Sequence, residues 1–350
     1  MPKSKIAGLG YYVPEKIVTN DDLSQVMDTS DEWIQERTGI KERRYAEKHK
    51  ETTSSMGVKA AEMAIANAGI TNEDVDFIIF ATLSPDYYFP GSGVLLQRQM
   101  NMQGIGALDI RNQCSGFVYG LSVADQFVQT GMYKNVLLVG AEFHSMGLDY
   151  STRGRNVTVI FGDGAGAAII QPSEGDEAIL STHLHADGTN AEVLSYINPG
   201  SHGGAHDPEG QEKYDYPDQE FGGAFITKKM WDNEDLYPHM EGPTVFKFAV
   251  KKFPEVILEA LQSNGYTIAD LGMLIPHQAN LRISQFVQRI LGLSEDQVFN
   301  NIQKYGNTTA ASIPIAFAEA VEQGKIKKGD LVCLAAFGSG FTWASALIKW

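Results

Sequence analysis

From Phe117 onward, Phe117, Val118, Leu121, Ala124, Phe127 and Val128 place apolar side chains at spacings of three and four, the period of an amphipathic helix. The apolar run at residues 107–110 just upstream predicts a strand, and similar runs occur at 75–79, 136–139, 271–274 and 331–334. These runs are apolar almost throughout rather than alternating, which is what strands covered on both faces require.

The pattern repeats. Asn307 lies 193 positions after Cys114 (307 − 114), and from both residues the chain reads in the same order. Small residues come first, then an amphipathic helix, a glycine stop (Gly131, Gly324), a basic turn (Lys134, Lys327) and an apolar strand. Upstream, Ala66-Asn67-Ala68-Gly69-Ile70-Thr71 before one strand has a counterpart in Gln262-Ser263-Asn264-Gly265-Tyr266-Thr267 before another. Helix, glycine cap, acidic turn and strand recur in each. The reading is an α/β chain of two similar halves, 1–175 and 176–350, layered α-β-α-β-α.

Composition narrows the function. The chain has 350 residues, 43% of them hydrophobic and 20% charged, as in an ordinary globular protein. A net charge of −15 argues against nucleic acid and against an anionic membrane surface as partners. No run approaches the roughly 18 apolar residues of a membrane span, and the N-terminus shows no secretory pattern. With only two cysteines, Cys114 and Cys333, a disulfide framework is excluded and a reducing cytoplasm is expected. Cys333 sits inside an apolar run and reads as core.

Cys114 stands between a strand and a helix, where free N–H groups and the positive helix end favour a thiolate and lower a resting pKa of about 8.5. A buried structural cysteine would fit the same position, so partners elsewhere must decide. Two are available. His277 follows the second-half strand directly, and Asn307 occupies the point equivalent to Cys114. Sites in such sheets form outside the strand C-termini, so two facing halves would bring sulfur, imidazole and carboxamide together.

Three stretches carry a specific resemblance: Gln113-Cys114-Ser115-Gly116-Phe117, Pro276-His277-Gln278-Ala279-Asn280, and Tyr305-Gly306-Asn307-Thr308-Thr309-Ala310-Ala311-Ser312. Together with Thr29-Ser30-Asp31-Glu32-Trp33-Ile34, Phe161-Gly162-Asp163-Gly164-Ala165-Gly166-Ala167 and Ala336-Phe337-Gly338-Ser339-Gly340-Phe341-Thr342-Trp343, they resemble 3-oxoacyl-acyl-carrier-protein synthase III. That family has a duplicated thiolase-like fold, in agreement with the repeat. The resemblance implies decarboxylative Claisen condensation of an acyl-CoA primer with malonyl-acyl carrier protein, which starts fatty-acid synthesis. It implies Cys114 as the acylated nucleophile, His277 and Asn307 as donors to the enolate, and the backbone N–H groups of Cys114 and Ser339 as the oxyanion hole. Ser339 stands where the usual loop has glycine.

Binding roles implied by the same resemblance are Trp33, Arg37 and Asn280 toward coenzyme A, with either Arg153 or Arg155 as a further arginine. Lys247, Arg282 and Arg289 would dock the acidic carrier protein. Phe89 would cross a homodimer interface to close the neighbour's acyl pocket. No cofactor or metal is expected; acyl-CoA and malonyl-acyl carrier protein are substrates. Gly162-Asp163-Gly164-Ala165-Gly166 lacks phosphate-loop spacing and reads as turn chemistry beside the site.

Residues 190–240 depart from the family as an insertion rich in Gly, Pro, acidic and aromatic residues, including Tyr214, Tyr216, Phe221, Phe225, Trp231 and Tyr237. It is expected to be ordered and to cover the tunnel mouth or the dimer surface. Its histidines, His202, His206 and His239, read as ordinary loop residues rather than zinc ligands. Pro243 replaces a polar residue near the expected pantetheine path. Two other readings remain open: a secondary-pathway ketosynthase using a longer acyl chain or a β-keto partner, and a non-catalytic partner subunit.

Overall fold

The computed structural model describes residues 2–197, 199–200, 230 and 236–350. Of the insertion's named residues, His202, His206, Tyr214, Tyr216, Phe221, Phe225 and Trp231 lie outside the described residues, whereas Tyr237 and His239 lie within them.

Two mixed sheets form the frame. The first contains β1 (Lys3–Tyr12), β2 (Phe77–Ala81), β3 (Gly106–Ile110), β4 (Val136–Glu142) and β5 (Gly164–Ser173), in the spatial order β1-β5-β4-β2-β3. The second contains β6 (Ala178–Ala186), β7 (Met273–Pro276), β8 (Leu331–Gly338) and β9 (Thr342–Lys349), in the order β6-β9-β8-β7. The two orders correspond strand for strand, and a single parallel bridge, Leu274 to Val298, stands where β3 would have its counterpart. Pairing is parallel for β2 with β3 and β4 and for β7 with β8; the remaining pairs are antiparallel.

Among the helices that enclose the core or border the site are α1 (Asp31–Thr38), α2 (Thr53–Asn67), α3 (Ser92–Gln99), α4 (Gly116–Gln129), α5 (Gly242–Ser263), α6 (Leu281–Leu291) and α7 (Ser312–Glu322). Strand pleating sorts their partners. Along β4, Val136 and Leu138 point into the central core, while Leu137 and Val139 point outward. Along β8, Val332, Leu334 and Ala336 face the centre, and Cys333, Ala335 and Phe337 face outward. The central core holds Phe117, Val118 and Leu121 of α4 with Ile313, Ala316 and Phe317 of α7, so these two helices lie between the sheets. Outside the first sheet pack Met56, Ala60 and Ala64 of α2 and Leu96 of α3. Outside the second pack Phe253, Ile257 and Leu261 of α5 and Ile283 and Val287 of α6. The result is the five-layered α-β-α-β-α arrangement of a thiolase-like fold. Truncating a central side chain such as Leu138 to alanine would remove about 2–5 kcal/mol.

One strand departs from the expectation of sheets covered on both faces. In β3, Gly106, Leu108 and Asp109 are exposed. The cause is position: β3 is the outermost strand of its sheet, with no neighbour beyond it among the described residues.

Candidate active site

Cys114 lies in the short helical turn Gln113–Ser115 that leads into α4, at the C-terminal end of β3. The corresponding turn of the other half, Thr309–Ala311, leads into α7 and carries Asn307 just before it. A Cβ on Gly140, near the end of β4, would sit 2.4 Å from the Ala310 carbonyl oxygen, so the two halves meet there through bare backbone. Asn307 is further stitched across the seam, its N–H donating to Ile160 O (2.9 Å) and its C=O accepting from Gly162 N (3.0 Å).

The side chain of Asn307 is held in one orientation. Its Oδ1 accepts the N–H of Thr309 (2.8 Å), which leaves the Nδ2 donor for the cavity. His277 follows β7, its own N–H donating to Ala335 O (2.7 Å), and its Nδ1 lies 2.6 Å from Ser312 Oγ. Ser312 Oγ also accepts the Gln278 N–H (3.3 Å), so its hydroxyl proton is directed at Nδ1. With the Ser312 hydroxyl as donor to Nδ1, the ring proton is on Nε2. That atom is buried without a partner among the described residues. Burial, with the neighbouring His144 ring adding to it, brings the His277 pKa down to about 3, so the imidazole is neutral.

Two cavities meet at Cys114. One, of about 830 Å³, is lined by Cys114, His277 and Asn307 at its inner end and by Trp33, Arg37, Asn280 and Arg282 elsewhere. The other, of about 680 Å³, is lined by Leu83, Phe143, His144, Leu148 and Thr309 among others. Cys114, Phe161 and Leu194 are common to both. Such a site can hold a thioester on one side of a sulfur and its acyl tail on the other.

Charge at the sulfur differs from the expectation of a lowered pKa. Burial pushes the Cys114 thiol up to about 12, and the charge of Glu142 adds to the rise. Hydrogen bonding from the backbone N–H groups of Ser339 and Cys114 acts the other way. Desolvation outweighs the helix end here. The same two N–H groups converge at the sulfur, where an acyl oxygen would need them. Gly338 permits the approach, since a Cβ there would lie 2.5 Å from Cys114 Cβ. Ser339 has no positive φ, so a side chain is tolerated, and its hydroxyl donates to Leu194 O.

At the outer end of the larger cavity, Trp33 sits on α1, whose first turn is capped by Ser30 Oγ accepting Trp33 N–H (3.1 Å). The guanidinium carbons of Arg37 and Arg155 lie 4.3 and 4.8 Å from the indole centroid. Arg153 instead pairs with Asp149 (2.6 Å) and lies 5.3 Å from the Tyr237 ring centroid. Asn280 caps α6 by accepting Arg282 N–H (2.9 Å), and its Nδ2 donates to Arg37 O (3.0 Å), so both amide groups tie α1 to α6. Lys247, Arg282 and Arg289 are exposed on α5 and α6 and make no ion pair with any described residue. Phe89 is 80% exposed and lines neither cavity of its own chain. Pro243 lines the larger cavity. The described ends of the insertion, Leu194, Ser195, Tyr196, Pro199 and Pro238, line the smaller one.

Sequence reasoning missed Glu142, His144, Thr309 and Ser312. Glu142 is fully buried and accepts from Thr82 and Ser84 hydroxyls, from Leu83 and Ser84 N–H groups and from the Ala310 N–H. Burial raises its pKa to about 7. His144 follows the apolar run of β4 much as His277 follows β7, and that shared placement was the available signal. No three or more His, Cys, Asp or Glu side chains among the described residues are grouped to hold a metal ion.

A buried cysteine, a neutral imidazole and a carboxamide gathered on a duplicated five-layer frame define a thiolase-like condensing enzyme. Comparison with known proteins agrees. Residues 108–188 match the family described as 3-Oxoacyl-[acyl-carrier-protein (ACP)] synthase III, and residues 261–350 match its C-terminal part. A beta-ketoacyl-[acyl-carrier-protein] synthase III of Caldanaerobacter subterraneus subsp. tengcongensis is 45% identical over 346 residues, 99% of this chain and 97% of that protein. One from Xanthomonas euvesicatoria pv. vesicatoria is 45% identical over 347 residues, covering 99% of this chain and 98% of the relative. The crystal structure of 3-oxoacyl-[acyl-carrier-protein] synthase III from Aquifex aeolicus superposes with a TM-score of 0.86 at 40% identity, over 99% of this chain and all of that one. The chain belongs to the beta-ketoacyl-acyl-carrier-protein synthase III family. It is a ketosynthase, an acyltransferase.

Proposed function

We propose that the chain joins an acyl-CoA primer to malonyl-acyl carrier protein, releasing CoA and CO2 and giving the 3-oxoacyl-carrier product that begins fatty-acid synthesis. The observation that carries the reading is the convergence of Cys114, His277 Nε2 and Asn307 on one cavity, with the Asn307 amide held by Thr309.

In the first half-reaction Cys114 Sγ attacks the primer carbonyl, the thiol proton passes to the departing CoA sulfur, and an acyl-cysteine remains. The N–H groups of Cys114 and Ser339 stabilise the tetrahedral oxyanion. In the second, malonyl thioester loses CO2 and its oxygen becomes an enolate. His277 Nε2–H and Asn307 Nδ2 donate to that oxygen. A neutral imidazole suits this task, because it keeps a proton to donate without adding a buried charge. The enolate carbon then attacks the acyl carbonyl, and Cys114 leaves as thiolate. No resident cofactor enters any step.

Binding roles follow from placement. An adenine ring would stack with Trp33 and two arginines, Arg37 and Arg155, since Arg155 lies over the Trp33 ring whereas Arg153 lies over Tyr237. Lys247, Arg282 and Arg289, exposed and without an ion pair among the described residues, fit an acidic carrier protein, and Arg282 lines the larger cavity. A homodimer is supported by β3, whose outer edge is unpaired among the described residues, and by exposed Tyr87, Tyr88, Phe89 and Leu108. Phe89 would then reach the partner's acyl cavity. Among the described residues no helix is long and apolar enough to cross a membrane, and a cytoplasmic setting is part of the proposal.

The test is mass spectrometry after incubation with acetyl-, branched- and long-chain acyl-CoAs. Wild type should carry an acyl adduct on Cys114 and the primer preference should read out directly. Cys114→Ala should carry none. His277→Ala should keep the adduct and lose decarboxylation by about 100-fold or more. A wild-type chain with no adduct from any of these primers would overturn the acyl-CoA-primed reaction.

A further inference from the structure

Thr309 is one of four non-glycine residues with positive φ among the described residues, at +48°. Side chains with a branched Cβ avoid that region, so something must hold it there. Two contacts do. The Thr309 N–H donates to Asn307 Oδ1 (2.8 Å), and the Thr309 hydroxyl lies 2.7 Å from His144 Nε2 in a buried hydrogen bond. His144 comes from the opposite half, immediately beyond β4, and only 8% of it is exposed. Its own backbone is fixed beside Asp163, whose carboxylate accepts from the Ser145 N–H (2.9 Å) and hydroxyl (2.6 Å). Its ring packs against Phe161, 4.7 Å between centroids, and Phe161 forms a parallel bridge with Asn307. The imidazole is neutral, burial having brought its pKa down to about 3.

We propose that His144 is a positioning residue for the condensation step: its bond to the Thr309 hydroxyl holds the Thr309 backbone so that the Asn307 amide presents Nδ2 to the enolate. His144 lines the acyl-side cavity and is absent from the lining of the cavity that His277 and Asn307 share. It acts on condensation through Thr309 and Asn307, whereas the acylation step relies on the Cys114 and Ser339 N–H groups and meets His144 only as cavity lining. This inference rests on the two-step reaction proposed for the site and deepens it.

The experiment measures the two half-reactions separately in His144→Leu, Thr309→Val, the double variant and His144→Gln, with thermal unfolding as the control for folding. His144→Leu and Thr309→Val each remove the same buried hydrogen bond, so each should slow malonyl decarboxylation and condensation about tenfold. Acylation of Cys114 should fall clearly less than condensation in each variant, because His144 and Thr309 touch that step only as lining of the acyl cavity. The double variant should be no slower than either single one, and His144→Gln, whose amide reaches the Nε2 position, should recover most of the rate. Equal loss in both half-reactions, or losses that multiply in the double variant, would assign His144 to cavity shape and overturn the proposal. If His144→Leu does not fold, Thr309→Val decides alone by the same split between steps. Absence of the wild-type adduct would instead count against the two-step reaction itself.

Discussion

Glu142 sets the charge beneath the nucleophile. Its carboxylate is fully buried, gathers donors from the end of β2, the following loop and the Ala310 turn, and adds to the rise of the Cys114 thiol. With the thiol held near 12, little thiolate exists at neutral pH, and alkylation of Cys114 should accelerate steadily with pH beyond 9 rather than level off near 8.5. Glu142→Gln removes the buried charge, so the thiol pKa should fall and iodoacetamide alkylation at pH 7.5 should quicken several-fold. Unchanged alkylation would mean that Glu142 is not the anion the sulfur meets. Because burial raises the pKa of Glu142, its contribution favours the folded state at low pH. That contribution is lost as pH rises from 4.5 to about 7, so the variant should lose less stability at pH 8 than at pH 4.

At the scale of elements, the active site depends on how closely the end of β4 approaches the turn before α7. Gly140 leaves no room there: a Cβ would be 2.4 Å from Ala310 O and 3.3 Å from Ala311 N. Gly140→Ala should force the turn away, costing about 1–3 kcal/mol by denaturant unfolding. Condensation should fall more than acylation, because Asn307 rides on the displaced turn. Much of this architecture was legible in the sequence. The 193-residue repeat announced two equivalent sheets and put Cys114 and Asn307 at equivalent points, because periodicity and glycine stops are local signals. Strand direction was less legible: β1, β5, β6 and β9 run antiparallel to their neighbours, and apolar runs read alike either way. The exposure of β3 depends on sheet order, which no run of residues encodes. Nor could spacing reveal that His144 meets Thr309 across 165 positions, or that Arg155 and not Arg153 lies over Trp33. The thiol pKa was misread because helix-end polarity is visible in sequence, whereas burial is not.

At the scale of the whole molecule, the first sheet ends at β3, which pairs on one side only among the described residues. Leu108 is 38% exposed on β3, and Tyr87, Tyr88 and Phe89 stand out from the loop after β2. In the proposed homodimer, Leu108→Asp should shift sedimentation toward monomer and, if the partner's Phe89 is what closes the acyl cavity, lower primer affinity. A wild-type chain that sediments as a monomer would remove the dimer from the proposal. The larger cavity imposes a different constraint. It is the passage that carries the Trp33 and Arg37 contacts and also reaches His277 and Asn307, so both thioester donors would have to use it in turn. Each donor would then compete for the other's way in, the loaded carrier before priming or surplus primer after it. Under such competition, output should follow the ratio of the two pools once both are abundant.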